Sequence, residues 1–211
     1  MLPPTSPRSY PVPSAPHQEE IEVKRSRFIA RAHPCADRDA AMQHLQQARR
    51  DFPDASHHCW AYLVGDPEQP AALASDDDGE PAGTAARPIL NVIQHRGLGN
   101  IMVIVIRYFG GTKLGAGGLV RAYGQATQAA LVGLDTEHHE PRRSARLHCT
   151  FAQEQAVRHW ARVEHAEILG AEYGDGVTLS LTFPASADTS LEDFAAAQRI
   201  TLALCDDEGR Q

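Results

Sequence analysis

A chain that runs "IMVIVI" (101–106) directly into "RYFGGTKLGAGGLVRAYG" (107–124) has few folds open to it. Unbroken, β-branched apolar sequence marks a strand covered on both faces, because a strand with one wet face alternates. The next eighteen residues hold six glycines. Glycine weakens helices and strands, so it is favoured where the backbone needs positive φ or a close approach. "GLVRAYGQATQAALVGL" then carries apolar residues at helical spacing and ends near Gly133. The pattern predicts a buried strand, a tight turn and a helix opening near Gly118 or Leu119. Free N–H groups at such a helix start favour anions. The same glycines also suit a loop passing tightly over its own sheet. Both readings stay open.

The loop lacks the two common phosphate-binding patterns. A Walker A loop needs Gly-Lys-Ser/Thr, and Lys113 is followed by Leu114. A dinucleotide fingerprint on Gly115 and Gly117 would need a third glycine where Val120 stands. No G-x-S-x-G, H-E-x-x-H or C-x-x-C occurs, so the sequence nominates no catalytic residue, metal centre or cofactor. In "SHHCWAY", His57 and Cys59 share a strand face and His58 points the other way. Without a second His/Cys pair at zinc spacing, core or hydrogen-bonded roles are expected for them. "SDDDGE" (75–80) places Asp76, Asp77, Asp78 and Glu80 within five positions. Paired carboxylates hold Mg²⁺ or share acid and base roles, whereas Asp and Gly also build solvated turns. An ion pair between this acidic loop and the basic glycine segment ranks above metal binding.

That ranking rests on charge distribution. The 211 residues carry a net charge of −7, which argues against nucleic acid as a partner. From Thr84 to Leu134, however, there is no Asp or Glu, while Arg87, Arg96, Arg107, Lys113 and Arg121 all fall inside. Beyond residue 135 the chain has thirteen of its 27 acids against seven Lys and Arg. A locally basic segment is thus hidden by the total. The four cysteines are widely spaced, which argues against a disulfide framework. The N-terminus lacks the basic and apolar regions of a signal peptide. The longest apolar run is far shorter than the roughly 20 residues a membrane helix needs. A cytoplasmic protein is expected.

Residues 1–18, with six prolines, read as a flexible tail. Residues 19–135 form the first domain. It starts with a strand over Ile21–Ala32 and a helix capped by Asp37 that runs to about Asp51. A strand over 57–64 follows, then a long polar loop from Gly65 to Gly83. Thr84 precedes a helix that takes Pro88 in its first turn. Residues 136–144 read as a linker. In 145–207 a strand is followed by a helix over Glu154–Leu169, two strands meeting at "GDG", a short helix capped by Ser190 and a last strand "ITLAL". That order, βαββαβ, is ferredoxin-like. The fold class is therefore α/β (α+β) in two domains.

"SRFIA", "HHCWAY", "DDDGEPAGTAARPIL" and "IVIRYFGGTKLGAGGLVRAYG", in this order, resemble the YigZ/IMPACT family over about residues 20–134. Two positions depart from its pattern: Asp76 replaces a serine, and Ala86 replaces a glycine. The resemblance implies a first domain like the second domain of small-subunit ribosomal protein five, with a ferredoxin-like domain after it. It also implies a role in regulating translation, through nucleic acid or the translation machinery. The expected activity is non-enzymatic binding of RNA or a translation-associated partner. Its face would be Arg107, Tyr108, Gly110, Gly111, Lys113, Gly115, Gly117, Gly118 and Arg121. The alternatives are an enzyme on a phosphorylated or nucleotide substrate, with Asp77, Asp78 or Glu80 holding Mg²⁺, and a protein-interaction adaptor. A small-molecule ligand stays open.

Overall fold

The computed structural model describes residues 9–205, in two units: Tyr10–His139, and a second from Glu140 onward. In the first unit, β1 (Tyr10–Pro13), β2 (His17–Val23) and β3 (Ser26–Pro34) precede α1 (Arg38–Asp51). Next come β4 (His57–Asp66), β5 (Gln69–Asp76), α2 (Ala86–Arg96), β6 (Ile101–Tyr108), α3 (Ala116–Val132) and β7 (Thr136–His139). Five of these strands form one sheet in the order β2-β3-β6-β4-β5, with every neighbouring pair antiparallel.

Strand alternation splits the central apolar run between two cores. Ile101, Val103 and Val105 face a cluster with Ile89 and Ile93 of α2 and Leu119, Tyr123 and Ala126 of α3. Met102, Ile104 and Ile106 face Ala41, Leu45 and Ala48 of α1. All six are completely buried, so β6 lies in the middle of three layers. At its start, α1 is capped as expected: the Asp37 carboxylate accepts from the Ala40 N–H at 2.8 Å.

The second unit contains β8 (Arg142–Cys149), α4 (Glu154–Val163), β9 (Glu167–Tyr173), β10 (Val177–Pro184), α5 (Asp188–Gln198) and β11 (Thr201–Cys205). The antiparallel sheet order is β11-β8-β10-β9, the ferredoxin-like arrangement. Val177, Leu179, Leu181 and Phe183 line its core against Trp160 and Leu191.

Several segments differ from the sequence reading, each for a local reason. The tail assigned to 1–18 is strand from Tyr10: β1 pairs with β7, Tyr10 opposite His139 and Pro13 opposite Thr136. Residues 1–8 lie outside the described chain. Prolines suit a two-stranded ribbon because every strand in it is an edge. β7 of that ribbon and the first residues of β8 together convert most of the 136–144 linker into strand, leaving only Glu140 and Pro141 between β7 and β8. The single strand over 21–32 is a hairpin, turning on Lys24 (φ 48°) and Arg25 (φ 67°). Two positive φ values define a type I′ turn, and no Asn-Gly signals it here. Within the polar 65–83 loop, β5 pairs with β4 through Asp66–Gln69, a bulge at Val64/Gly65 turning the strand.

Downstream, the helix expected to reach Leu169 stops at Val163. His165 adopts φ 54°, and the Ala166 N–H closes back on the Ala161 carbonyl at 2.7 Å. That left-handed stop is made without glycine. Ser190 does not cap α5, which starts at Asp188; its hydroxyl accepts from the Trp160 indole at 3.2 Å and donates to Glu164 at 2.7 Å. Of the expected second domain, 145–207, residues 206 and 207 lie outside the described chain.

Tyr10 and Val12 are each 8% exposed, and the Tyr10 ring lies 5.0 Å from that of His139. Replacing Tyr10 by Ala should cost about 2–4 kcal/mol in urea denaturation. A residue in a free tail would cost less than about 0.5 kcal/mol.

Candidate functional site

The glycine loop leaves β6 at Tyr108 and enters α3 at Ala116. Its first requirement is space. A Cβ on Gly110 would sit 2.0 Å from the backbone of Arg25, so the loop crosses the β2–β3 turn in direct contact. The Gly110 N–H donates to the Ser26 hydroxyl at 3.2 Å, and Arg25 donates to Thr112 at 2.9 Å. The second requirement is conformation: Gly111 has φ +81° and Gly115 φ +71°. Gly115 is also the N-cap of α3, and no side chain caps this helix. Its first turn carries no acid, and the N–H groups of Ala116, Gly117 and Gly118 have no partner among the described residues. Packing and an open helix start thus coexist in one loop.

Beneath the loop lies a buried polar cluster. Arg107, 5% exposed, is ion-paired with Glu80, 8% exposed. The Glu80 carboxylate also accepts from the Tyr123 hydroxyl at 2.8 Å, and His57 Nε2 lies 3.9 Å from it. The Arg107 guanidinium carbon lies over the rings of Phe28 and Phe109, 5.4 and 5.7 Å from their centroids. Cys59 Sγ lies 3.3 Å from the Tyr123 hydroxyl and 3.0 Å from the Asp77 carbonyl. Burial pushes the Cys59 thiol up to about 12 and holds the Tyr123 phenol far above its usual value. Neither group is an available nucleophile at neutral pH.

The acidic loop is tied down residue by residue. Asp77 accepts from the N–H groups of Gly83, Ala85 and Ala86 at 2.7, 2.9 and 2.8 Å, so it caps α2 from a distance in sequence. Burial opposes its ionisation, but these three N–H groups outweigh that and hold the carboxyl below its ordinary value. Asp78, at φ 43°, accepts from the His58 N–H at 2.6 Å and from Arg49 at 2.9 Å, while its carbonyl lies 2.8 Å from His57 Nδ1. With Glu80 on Arg107, the three carboxylates face three different partners. They do not converge on a common cation position.

The expected binding face therefore changes membership. Arg107 is spent on Glu80 and is not an exposed phosphate contact. Tyr108 points to the opposite side of the sheet, where Arg27 lies 5.4 Å over its ring. Gly110 serves packing and Gly111 the turn. Lys113, Gly115, Gly117 and Arg121 remain exposed at the start of α3. A Cβ on Gly118 would lie 3.1 Å from that of Leu114, so this glycine is partly a packing residue. The sequence reading missed Phe109, which is 51% exposed and directly follows the buried strand. An apolar residue inside a glycine-rich loop was the available signal. Phe109, Pro81, Leu114 and Leu119 wall a cleft of about 320 Å³, with Glu80, Arg107 and Lys113 as its polar groups and Gly115–Ala116 on its rim.

The five-stranded sheet with its glycine-rich turn, and the ferredoxin-like unit after it, define a two-domain α/β protein with an uncapped helix start beside a largely apolar cleft. Residues 24–131 match the Impact N-terminal domain, and residues 147–196 match a domain of unknown function, DUF1949. IMPACT family member YigZ of Escherichia coli is 35% identical over 200 residues, 93% of this chain and 98% of that protein. Protein IMPACT of Rattus norvegicus is 29% identical over 114 residues, covering 53% of this chain and 35% of that one. A crystal structure described as a hypothetical protein superposes with a TM-score of 0.70 at 33% identity, covering 95% and 98% of the two chains. This chain belongs to the IMPACT family.

Glu80→Ala strands the Arg107 charge and the Tyr123 hydroxyl, and should cost about 3–5 kcal/mol in urea denaturation. Asp77 has a depressed native pKa, so its stabilisation is complete above the ordinary carboxylate value and is lost as pH falls through the native one. The stability gap between the wild type and Asp77→Ala should be constant from pH 7 to 5 and shrink below about pH 4.

Proposed function

We propose that this chain is a non-enzymatic regulatory protein that binds single-stranded RNA, as part of translation, through the face at the start of α3. The observation carrying this reading is the pairing of three open N–H groups with two exposed cations. Lys113 sits on the cleft rim, and Arg121 Nη1 lies 3.6 Å from where a Cβ on Gly117 would be. Neither cation has a carboxylate partner among the described residues. Helix starts and Lys/Arg side chains are the groups that take up phosphate oxygens. Phe109 adds an exposed ring of the kind on which single-stranded bases stack.

The enzyme alternative draws no support from the acidic loop, because Asp77, Asp78 and Glu80 are each engaged elsewhere. The adaptor alternative needs no open helix start and no unpaired cations, and both are present.

The test is fluorescence anisotropy of a labelled single-stranded oligoribonucleotide across a range of salt concentrations. Log affinity should fall linearly with log salt. Lys113→Glu/Arg121→Glu should weaken binding at least tenfold and reduce the slope by about 1.4, the loss of two single-strand phosphate contacts. Both residues are exposed, so the fold survives the change. Flat anisotropy in the wild type, or an unaltered double variant, defeats this reading and leaves a protein-binding adaptor.

A further inference from the structure

Five of the glycines between Gly110 and Gly124 can be sorted by what the fold asks of them. Gly110 is required by the Arg25 backbone, Gly111 and Gly115 by positive φ, and Gly118 in part by Leu114. Gly117 is required by nothing: its φ is ordinary, and an added Cβ would meet only Arg121 Nη1, at the normal contact distance of 3.6 Å. It nevertheless stands exposed in the first turn of α3, where Ala would favour the helix. A bare Cα there gives an incoming group access to the backbone N–H. Arg107 supplies a second, independent sign. Its Nε is buried and has no hydrogen-bond partner among the described residues, on a side chain that lines the cleft, whose wall runs to Gly115 and Ala116, the residues just before Gly117.

We infer that the cleft takes a single nucleotide carrying a phosphomonoester, with the phosphate on the α3 start at Gly117 and the base against Phe109. This rests on the RNA-binding reading above. The volume of about 320 Å³ lies at the lower end for ligand sites, room for one base and sugar and not for two. Phe109, Pro81, Leu114 and Leu119 make an apolar wall suited to a planar base. Glu80 and Arg107 neutralise each other, so the charge left for the ligand comes from Lys113, Arg121 and the helix start. Two unpaired cations match a monoester, close to −2 at neutral pH, better than the single charge of a diester. The shared chemistry has two sources, a free nucleoside monophosphate or the 5′-phosphorylated end of an RNA.

Isothermal titration calorimetry separates these sources. The titrants are AMP, UMP, inorganic phosphate, and a short oligoribonucleotide with either a 5′-phosphate or a 5′-hydroxyl. Mononucleotides should bind saturably and more tightly than inorganic phosphate. If the ligand is an RNA end, the 5′-phosphate should also improve oligonucleotide affinity at least tenfold; equal affinity of AMP and the phosphorylated oligomer identifies a free nucleotide. Gly117→Ala should raise the Tm by about 1–3 °C and weaken AMP at least tenfold. Gly124→Ala, in the same helix with open space around it, should raise the Tm and leave binding unchanged. Phe109→Ala should weaken AMP and spare phosphate. Binding of AMP by Gly117→Ala at wild-type strength overturns the inference, as does phosphate binding equal to AMP. Oligonucleotide binding with no mononucleotide binding and no effect of the 5′-phosphate overturns it while the RNA reading stands. Loss of all binding removes both.

Discussion

The ion pair between Glu80 and Arg107 is the constraint on which the first unit depends. It joins the acidic loop after β5 to the end of the central strand, and through Tyr123 it reaches α3. Two charges taken out of water are costly unless fully partnered. Here the carboxylate has the guanidinium and a phenol hydroxyl, while the guanidinium lies over two aromatic rings and keeps its buried Nε unbonded among the described residues. Because the pair is satisfied only when loop, strand end and helix are all in place, it fixes the three relative to one another. The cleft is what this arrangement leaves open.

Part of this was legible from residues alone. The unbroken apolar run of β6 could serve only as a doubly covered strand, and alternation divides it between two cores as periodicity requires. The ferredoxin-like order was legible because β10 alternates cleanly and "GDG" marks its hairpin. Asp37 announced its helix. Two of the illegible features share one cause: positive φ at residues other than glycine. Lys24, Arg25 and His165 turn the chain without the composition that signals a turn, so one hairpin read as a strand and one helix ran on too far. β1 and β7 were hidden because each is short and proline-rich or polar, and each exists only through the other, 123 or more positions away.

The site divided in the same way. Proximity of acidic loop and basic segment could be inferred from charge, and the glycines from the strand preceding them. Which cation is buried could not. Arg107 and Lys113 look equivalent in a list of basic residues, yet strand alternation and one carboxylate make the first a part of the core and leave the second in water. Tyr108 and Phe109 are likewise adjacent aromatics sent in different directions by the last residue of a strand.

The β1–β7 ribbon has a mechanical consequence. Tyr10 is paired with His139, so the two ends of the first unit lie at the same end of one ladder. A load pulling those ends apart does not shear the four pairs together; it peels them in turn, from Tyr10–His139 to Pro13–Thr136. Under tension the ribbon is therefore a zip that opens at low force while the five-stranded sheet behind it stays whole.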